Sequence, residues 1–178
     1  MPASAKFLEL AGKKPGELEA AMRAGAMPSL DSLAGFEFRG YNTPAFTALL
    51  GIRKFVKGFF RSPRGLEGYN VPARQNGLDG EWLHKPSAES PKRFGFYVVA
   101  PVSDQSRDAL YPNAALIDYA ASERNARWRP ERLLRDYLVQ PDPSDPDLFL
   151  GKAYLALPAR VRVSYFVLER LRATSWKA

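Results

Sequence analysis

From about residue 29 onward, apolar positions recur at every second residue in short runs separated by Gly, Pro, Asn and Asp. That period places successive side chains on opposite faces of β-strands. The runs fall at residues 35–40, with Phe36 and Phe38 on one face, and at 52–60, 68–76, 81–85, 93–100, 113–120, 131–140, 147–157 and 160–170. The run at 93–100 (RFGFYVVA) is the clearest. Pro72 inside the run at 68–76 marks an edge strand or a bulge. Asn76-Gly77 and Asp79-Gly80 signal a hairpin that leads into 81–85.

Elsewhere the period changes. At 43–50 Pro44 suits a first helical turn, and Phe46, Leu49 and Leu50 share a face, which predicts a short helical or irregular insertion. Residues 86–92 and 122–130 read as loops, and 141–146, with three prolines, as a rigid turn. Residues 1–28 read as helix: Pro15 fits a first turn, Leu18, Ala21 and Met22 form an apolar stripe, and Gly25 supplies a stop. The chain therefore divides into an N-terminal helical segment, 1–28, and a β domain, 29–178. Eight or nine closely spaced strands without crossover helices predict a mainly β fold, a closed or nearly closed antiparallel barrel carrying an N-terminal helix.

Composition narrows the chemistry. At 178 residues, 46% of them hydrophobic, the chain is long enough for one well-packed core. There is no cysteine, so disulfides, thiolate nucleophiles and sulfur-ligated zinc are excluded. His84 is the single histidine; a Ser-His triad would have to use it, and a metal site would have to be built from carboxylates, so no metal is expected. The net charge of +7 comes from basic residues scattered over the chain (Arg53, Lys54, Lys57, Arg61 and Arg64, then 124–135 and 160–172). Spread over a solvated face, they do not make the continuous patch that a nucleic-acid partner requires. Residues 1–10 lack the apolar centre of a secretory signal, and no apolar stretch approaches the roughly 18 residues of a membrane span, so a cytoplasmic protein without a transmembrane segment is expected.

Several segments carry a family resemblance: 33–40 (LAGFEFRG), Arg53-Lys54-Phe55, Asn70-Val71-Pro72, Ile117-Asp118-Tyr119, Leu150-Gly151 and 165–170 (YFVLER). Together they resemble the calycin-like family named for a G-x-W-x-G motif and, more distantly, the lipocalins, fatty-acid-binding proteins and nitrobindins, with Phe38 standing where the motif has tryptophan. The resemblance implies a lipocalin-like barrel with a ligand-sized interior, in which Arg170 packs over Phe38 as a cation–π lid. Nitrobindin-like haem binding would need a histidine near the barrel's end; His84 lies mid-chain, in a hairpin where partial exposure is expected, so no cofactor is implied.

Four sets of residues are candidates for chemistry. Arg135 and Tyr137 share one face of a strand and together would grip a carboxylate, similar to the Arg-x-Tyr pair of fatty-acid-binding proteins; the opposite alternation puts Leu134, Asp136 and Leu138 inside instead. A near repeat, GYNTPA at 40–45 and GYNVPA at 68–73, places Asn42 and Asn70 as paired hydrogen-bonders at one mouth of a barrel, or simply marks two similar strand exits. Asp118, Asp136 and Glu37 are carboxylates in apolar strands: general acid–base groups if buried alone, structural partners if paired with Arg39, Arg135 or Lys152. Lys152 would form a Schiff base if desolvated. Arg39 and Tyr119 complete the candidate ligand-binding set. The leading expectation is binding of a small hydrophobic, lipid-like molecule, with or without a carboxylate. The alternatives are a small isomerase- or cyclase-type enzyme using Asp118 or Asp136, and a basic interaction protein whose barrel is filled by its own aromatic side chains.

Overall fold

The computed structural model describes residues 2–176. Two helices, α1 (Ala5–Gly12) and α2 (Pro15–Ala24), precede a single turn, α3 (Leu30–Leu33), and the first strand, β1 (Phe36–Asn42). A further turn of helix, α4 (Phe46–Leu49), leads to β2 (Lys54–Ser62), β3 (Gly65–Pro72), β4 (Phe94–Pro101) and β5 (Ala115–Asp118). A 3-10 turn (Pro130–Leu133) introduces β6 (Leu134–Val139), followed by β7 (Leu148–Leu155) and β8 (Val161–Ala173). Each strand pairs antiparallel with the next, and β8 pairs back on β1, so eight strands close a barrel in sequence order. The sheet keeps no free edge. Among the described residues no helix is long and apolar enough to cross a membrane.

The outer face of this barrel is partly covered, which is why so many strands read as apolar on both sides. Phe7 and Leu10 of α1 and Leu18 and Met22 of α2 are buried in one cluster with Tyr137, Val139, Leu150 and Val167 from the strands' outer faces. Ser4 caps α1 by accepting the Phe7 N–H at 3.1 Å. Pro15 opens α2 and the Glu17 carboxylate accepts the Lys14 N–H at 2.9 Å. Gly25 ends α2 because the chain passes against β6 there; a Cβ would come within 2.8 Å of Val139 Cγ2.

Inside, the two ends of the barrel differ. One end is solid: Phe38, Phe59, Phe149 and Tyr97 pack edge to face at centroid separations of 5.4–5.6 Å. Leu33 of α3 is fully buried beneath them. Arg170 closes this end, its guanidinium 3.9 Å from the Phe36 ring and 5.6 Å from that of Phe38, with Nη2 donating to Ser32 O at 3.0 Å. The other end is hollow.

Two predicted elements are replaced. Residues 81–85 form no strand; the only ladder contact in that stretch is an isolated bridge between Ala73 and His84. The turn signals before it serve another purpose: the loop wraps Lys54, whose Nζ donates to Asn76 Oδ1, Gly77 O and Gly80 O at 2.6–2.9 Å. Trp82 of the same loop is buried and donates through Nε1 to Gly40 O at 3.1 Å. The run at 131–140 becomes a strand only from Leu134, since Pro130 starts a helical turn.

Candidate functional site

The hollow end contains a cavity of about 290 Å³, near the lower limit of roughly 300 Å³ for small-molecule sites. Phe55, Pro72, Phe94, Leu134, Val163 and Phe166 give it apolar walls, and Gly51 and Ile52, in the segment after α4, lie at its lip. Leu49, Leu50 and Ile52 are exposed beside that lip, Leu49 to 91%.

Four polar side chains meet at the base of the cavity. Lys57 comes from β2, Asn70 from β3, Asp136 from β6, and Tyr119 from the residue that follows β5. Lys57 Nζ donates to Tyr119 Oη at 2.6 Å and to Asn70 Oδ1 at 3.1 Å, and lies 3.1 Å from Asp136 Oδ2. The Tyr119 hydroxyl donates to the same carboxylate oxygen at 2.9 Å. Lys57 and Asp136 are only 2% and 3% exposed, so this ion pair is out of bulk water. Burial, offset in part by Asp136, lowers the Lys57 ammonium below the ordinary lysine value. Burial and then the charge of Asp136 push the Tyr119 phenol well above its ordinary value, so it is a neutral donor.

The backbone is shaped to hold this group. β3 and β4 slip register between Gly68 and Asn70, and Gly95 within that bulge adopts φ +53°, a left-handed conformation that suits glycine. The bulge turns Gly95 O toward Asn70, whose Nδ2 donates to it at 2.9 Å. Asn125 fastens both sides: its Oδ1 accepts the Phe96 N–H at 2.9 Å, and its Nδ2 donates to Phe96 O at 2.6 Å and Tyr119 O at 2.8 Å. Glu131 also lines the cavity, its Cγ beside Gly95 as are Asn70 and Tyr119, with a buried Oε2 that has no hydrogen-bond partner.

Of the residues predicted from sequence, Asn42, Asn70, Tyr119 and Asp136 all line this cavity. The near repeat has a geometric meaning: Gly40 and Gly68 each lie under an aromatic ring of the neighbouring strand, Phe55 and Tyr97, while Asn42 and Asn70 point to the cavity. Asn42 is committed to the lip itself, donating to Ile52 O at 2.7 Å and accepting from Ser164 at 3.1 Å.

The others lie elsewhere. The alternation in β6 resolves with Asp136 inside, which puts Arg135 and Tyr137 on the outer face, away from the cavity. Arg135 there pairs with Asp118 at 3.1 Å and Asp108 at 3.4 Å. Asp118 is thereby a structural carboxylate, also accepting the Ala120 N–H at 2.7 Å. Arg39 is buried on the outside of β1, 3.2 Å from Glu169 and 5.5 Å from the Trp82 ring. Lys152 is likewise outside, bonded to Glu19 and Tyr111. His84 is not a half-exposed hairpin residue. It is buried, with Nε2 3.1 Å from Glu37 and 2.6 Å from Arg172 Nη2.

Lys57 and Asn125 were missed by sequence. Lys57 had a readable signal: with Phe55 and Phe59 it occupies alternate positions of one strand, so it belongs to their face and not to a solvated one. Asn125 sits in a polar loop and carries no local signal. No family model matches this chain, and neither a curated protein nor a solved structure matches it.

Proposed function

We propose that this barrel binds a small, largely apolar molecule bearing one uncharged polar group, which it takes through the lip beside α4. The observation that carries the reading is a charge-neutral polar cluster buried at the base of an apolar-walled cavity. Lys57 and Asp136 cancel each other's charge, so a ligand carboxylate would add an unpaired buried charge close to Asp136, at a cost of several kcal/mol. A hydroxyl or carbonyl avoids that cost, and the Asn70 amide, whose second Nδ2 contact is a long 3.4 Å to Tyr119 Oη, is the donor that can turn to it. The site thus favours neutral ligands over fatty acids, the reverse of what an Arg135–Tyr137 grip implies.

A buried ion pair contributes little to stability compared with apolar residues of the same volume. Its place beside a cavity is what a ligand-reading role requires. Isothermal titration with cinnamyl alcohol and with cinnamate, two probes of one shape and different charge, tests the reading. The alcohol is expected to bind at least about tenfold more tightly, a difference of roughly 1.4 kcal/mol. Equal binding, or preference for cinnamate, would overturn it.

A further inference from the structure

We infer that Lys57 is placed to form an imine with an aldehyde or ketone held in this cavity. The inference rests on the binding reading above and names its ligand class. Three features of the geometry converge on it. Lys57 Nζ is the amine at the base of an apolar-walled cavity, so a carbonyl carbon entering from the lip ends its path there. Asp136 Oδ2, 3.1 Å away, is positioned to take a proton from the ammonium and return it. The Tyr119 hydroxyl, 2.6 Å from the same nitrogen, and Asn70 fix the side chain's direction. Burial also lowers the energy needed to expose the amine lone pair, in the same direction.

The step balances without any further reactant. Asp136 accepts a proton from the Lys57 ammonium. The freed amine attacks the carbonyl carbon, its lone pair forming the C–N bond as the C=O π electrons move to oxygen. A proton passes from nitrogen to that oxygen, giving a neutral carbinolamine. Asp136 then protonates the hydroxyl, which leaves as water while the nitrogen lone pair closes the C=N bond. The net change is ammonium plus carbonyl to iminium plus water, with the positive charge kept on Lys57 and Asp136 again its counter-ion. The apolar walls restrict the water that would hydrolyse the iminium.

The test uses the full chain with trans-cinnamaldehyde and sodium cyanoborohydride, read by intact mass and peptide mapping. The expected product is one adduct, heavier by the mass of the aldehyde less one oxygen atom, mapped to Lys57. Excess cinnamyl alcohol, which fills the cavity but forms no imine, is expected to slow that labelling at least about tenfold and leave surface lysines unaffected. Lys57→Met combined with Asp136→Asn leaves neither charge unpaired and is expected to lose the adduct, with circular dichroism checking that the barrel has folded. If the alcohol binds but no adduct maps to Lys57, imine formation is overturned and the binding reading stands. If label spreads over surface lysines at rates that the alcohol does not change, the inference is likewise overturned. If neither probe binds, both readings fall.

Discussion

Lys57 on β2 and Asp136 on β6 face each other across the interior of the barrel, from strands on opposite sides of the eight-strand ring, with Nζ and Oδ2 3.1 Å apart. Each charge is buried and each depends on the other. Removing one partner should therefore cost far more than removing both. Asp136→Ala strands the ammonium and is expected to destabilise by about 3–5 kcal/mol, whereas Lys57→Met with Asp136→Leu should fall much closer to the wild type. Urea midpoints of the two singles and the double complete the cycle, and additive effects would show that the two charges do not act as a pair.

Acid should weaken the fold through Glu37 and Glu19, on the outside of the barrel. Burial alone raises the Glu37 carboxyl, but hydrogen bonds from His84, Arg172 and Tyr69 outweigh it and bring the value from 4.5 down to about 2. Glu19 follows the same balance, with burial opposed by Lys152, Tyr165 and Tyr111, and also reaches about 2. A folded value below the unfolded one means that the stabilisation is complete above about pH 4.5 and is lost as pH falls toward about 2. For buried Glu37 the difference is worth roughly 3 kcal/mol. Glu37→Gln is expected to flatten the fall in urea midpoint over that window, and an unchanged slope would contradict the assignment.

Gly151 on β7 lies directly across from Phe166 on β8, whose ring fills the place of the missing side chain; a Cβ there would sit 2.1 Å from Cζ. Because Phe166 is also a cavity wall, Gly151→Ala should both destabilise by about 1–3 kcal/mol and weaken binding of cinnamyl alcohol. Gly12→Ala, at a position open to solvent space, is the control and should stay within about 0.5 kcal/mol of the wild type. Thermal denaturation and a binding titration on both variants decide the matter.

Arg135→Ala separates the two faces of β6. It removes the pairs with Asp118 and Asp108 and should lower stability by about 1–3 kcal/mol, yet leave affinity for the neutral alcohol within about twofold. A large loss of affinity in a folded Arg135→Ala protein would return the ligand to the outer face.

Much of the architecture was legible from alternation. Phe36 and Phe38, the run at 93–100 and the long apolar run at 160–170 all became strands, and Pro15 and Gly25 bounded a helix as expected. What the period could not supply was which face of β6 looks inward, because helices cover the outside and both faces are apolar: Tyr137 is fully buried outside while Leu138 is fully buried inside. Asn76-Gly77 misled because a turn signal is local, whereas its use here, caging the Lys54 ammonium, depends on a strand more than twenty residues away. The site was half legible for the same reason. Asn70, Tyr119 and Asp136 stood out as polar residues in strands, but their convergence on Lys57 exists only once the barrel closes.

The most direct test of the binding account is native mass spectrometry of gently purified wild-type protein beside Ala153→Leu, which fills the cavity from its own wall. The account predicts that the wild type carries a co-purifying neutral small molecule, or takes up cinnamyl alcohol when offered, and that Ala153→Leu remains folded but holds neither. A wild-type protein that is empty and refuses the alcohol, or an Ala153→Leu protein that binds it as well as the wild type, would contradict a ligand site at this end of the barrel.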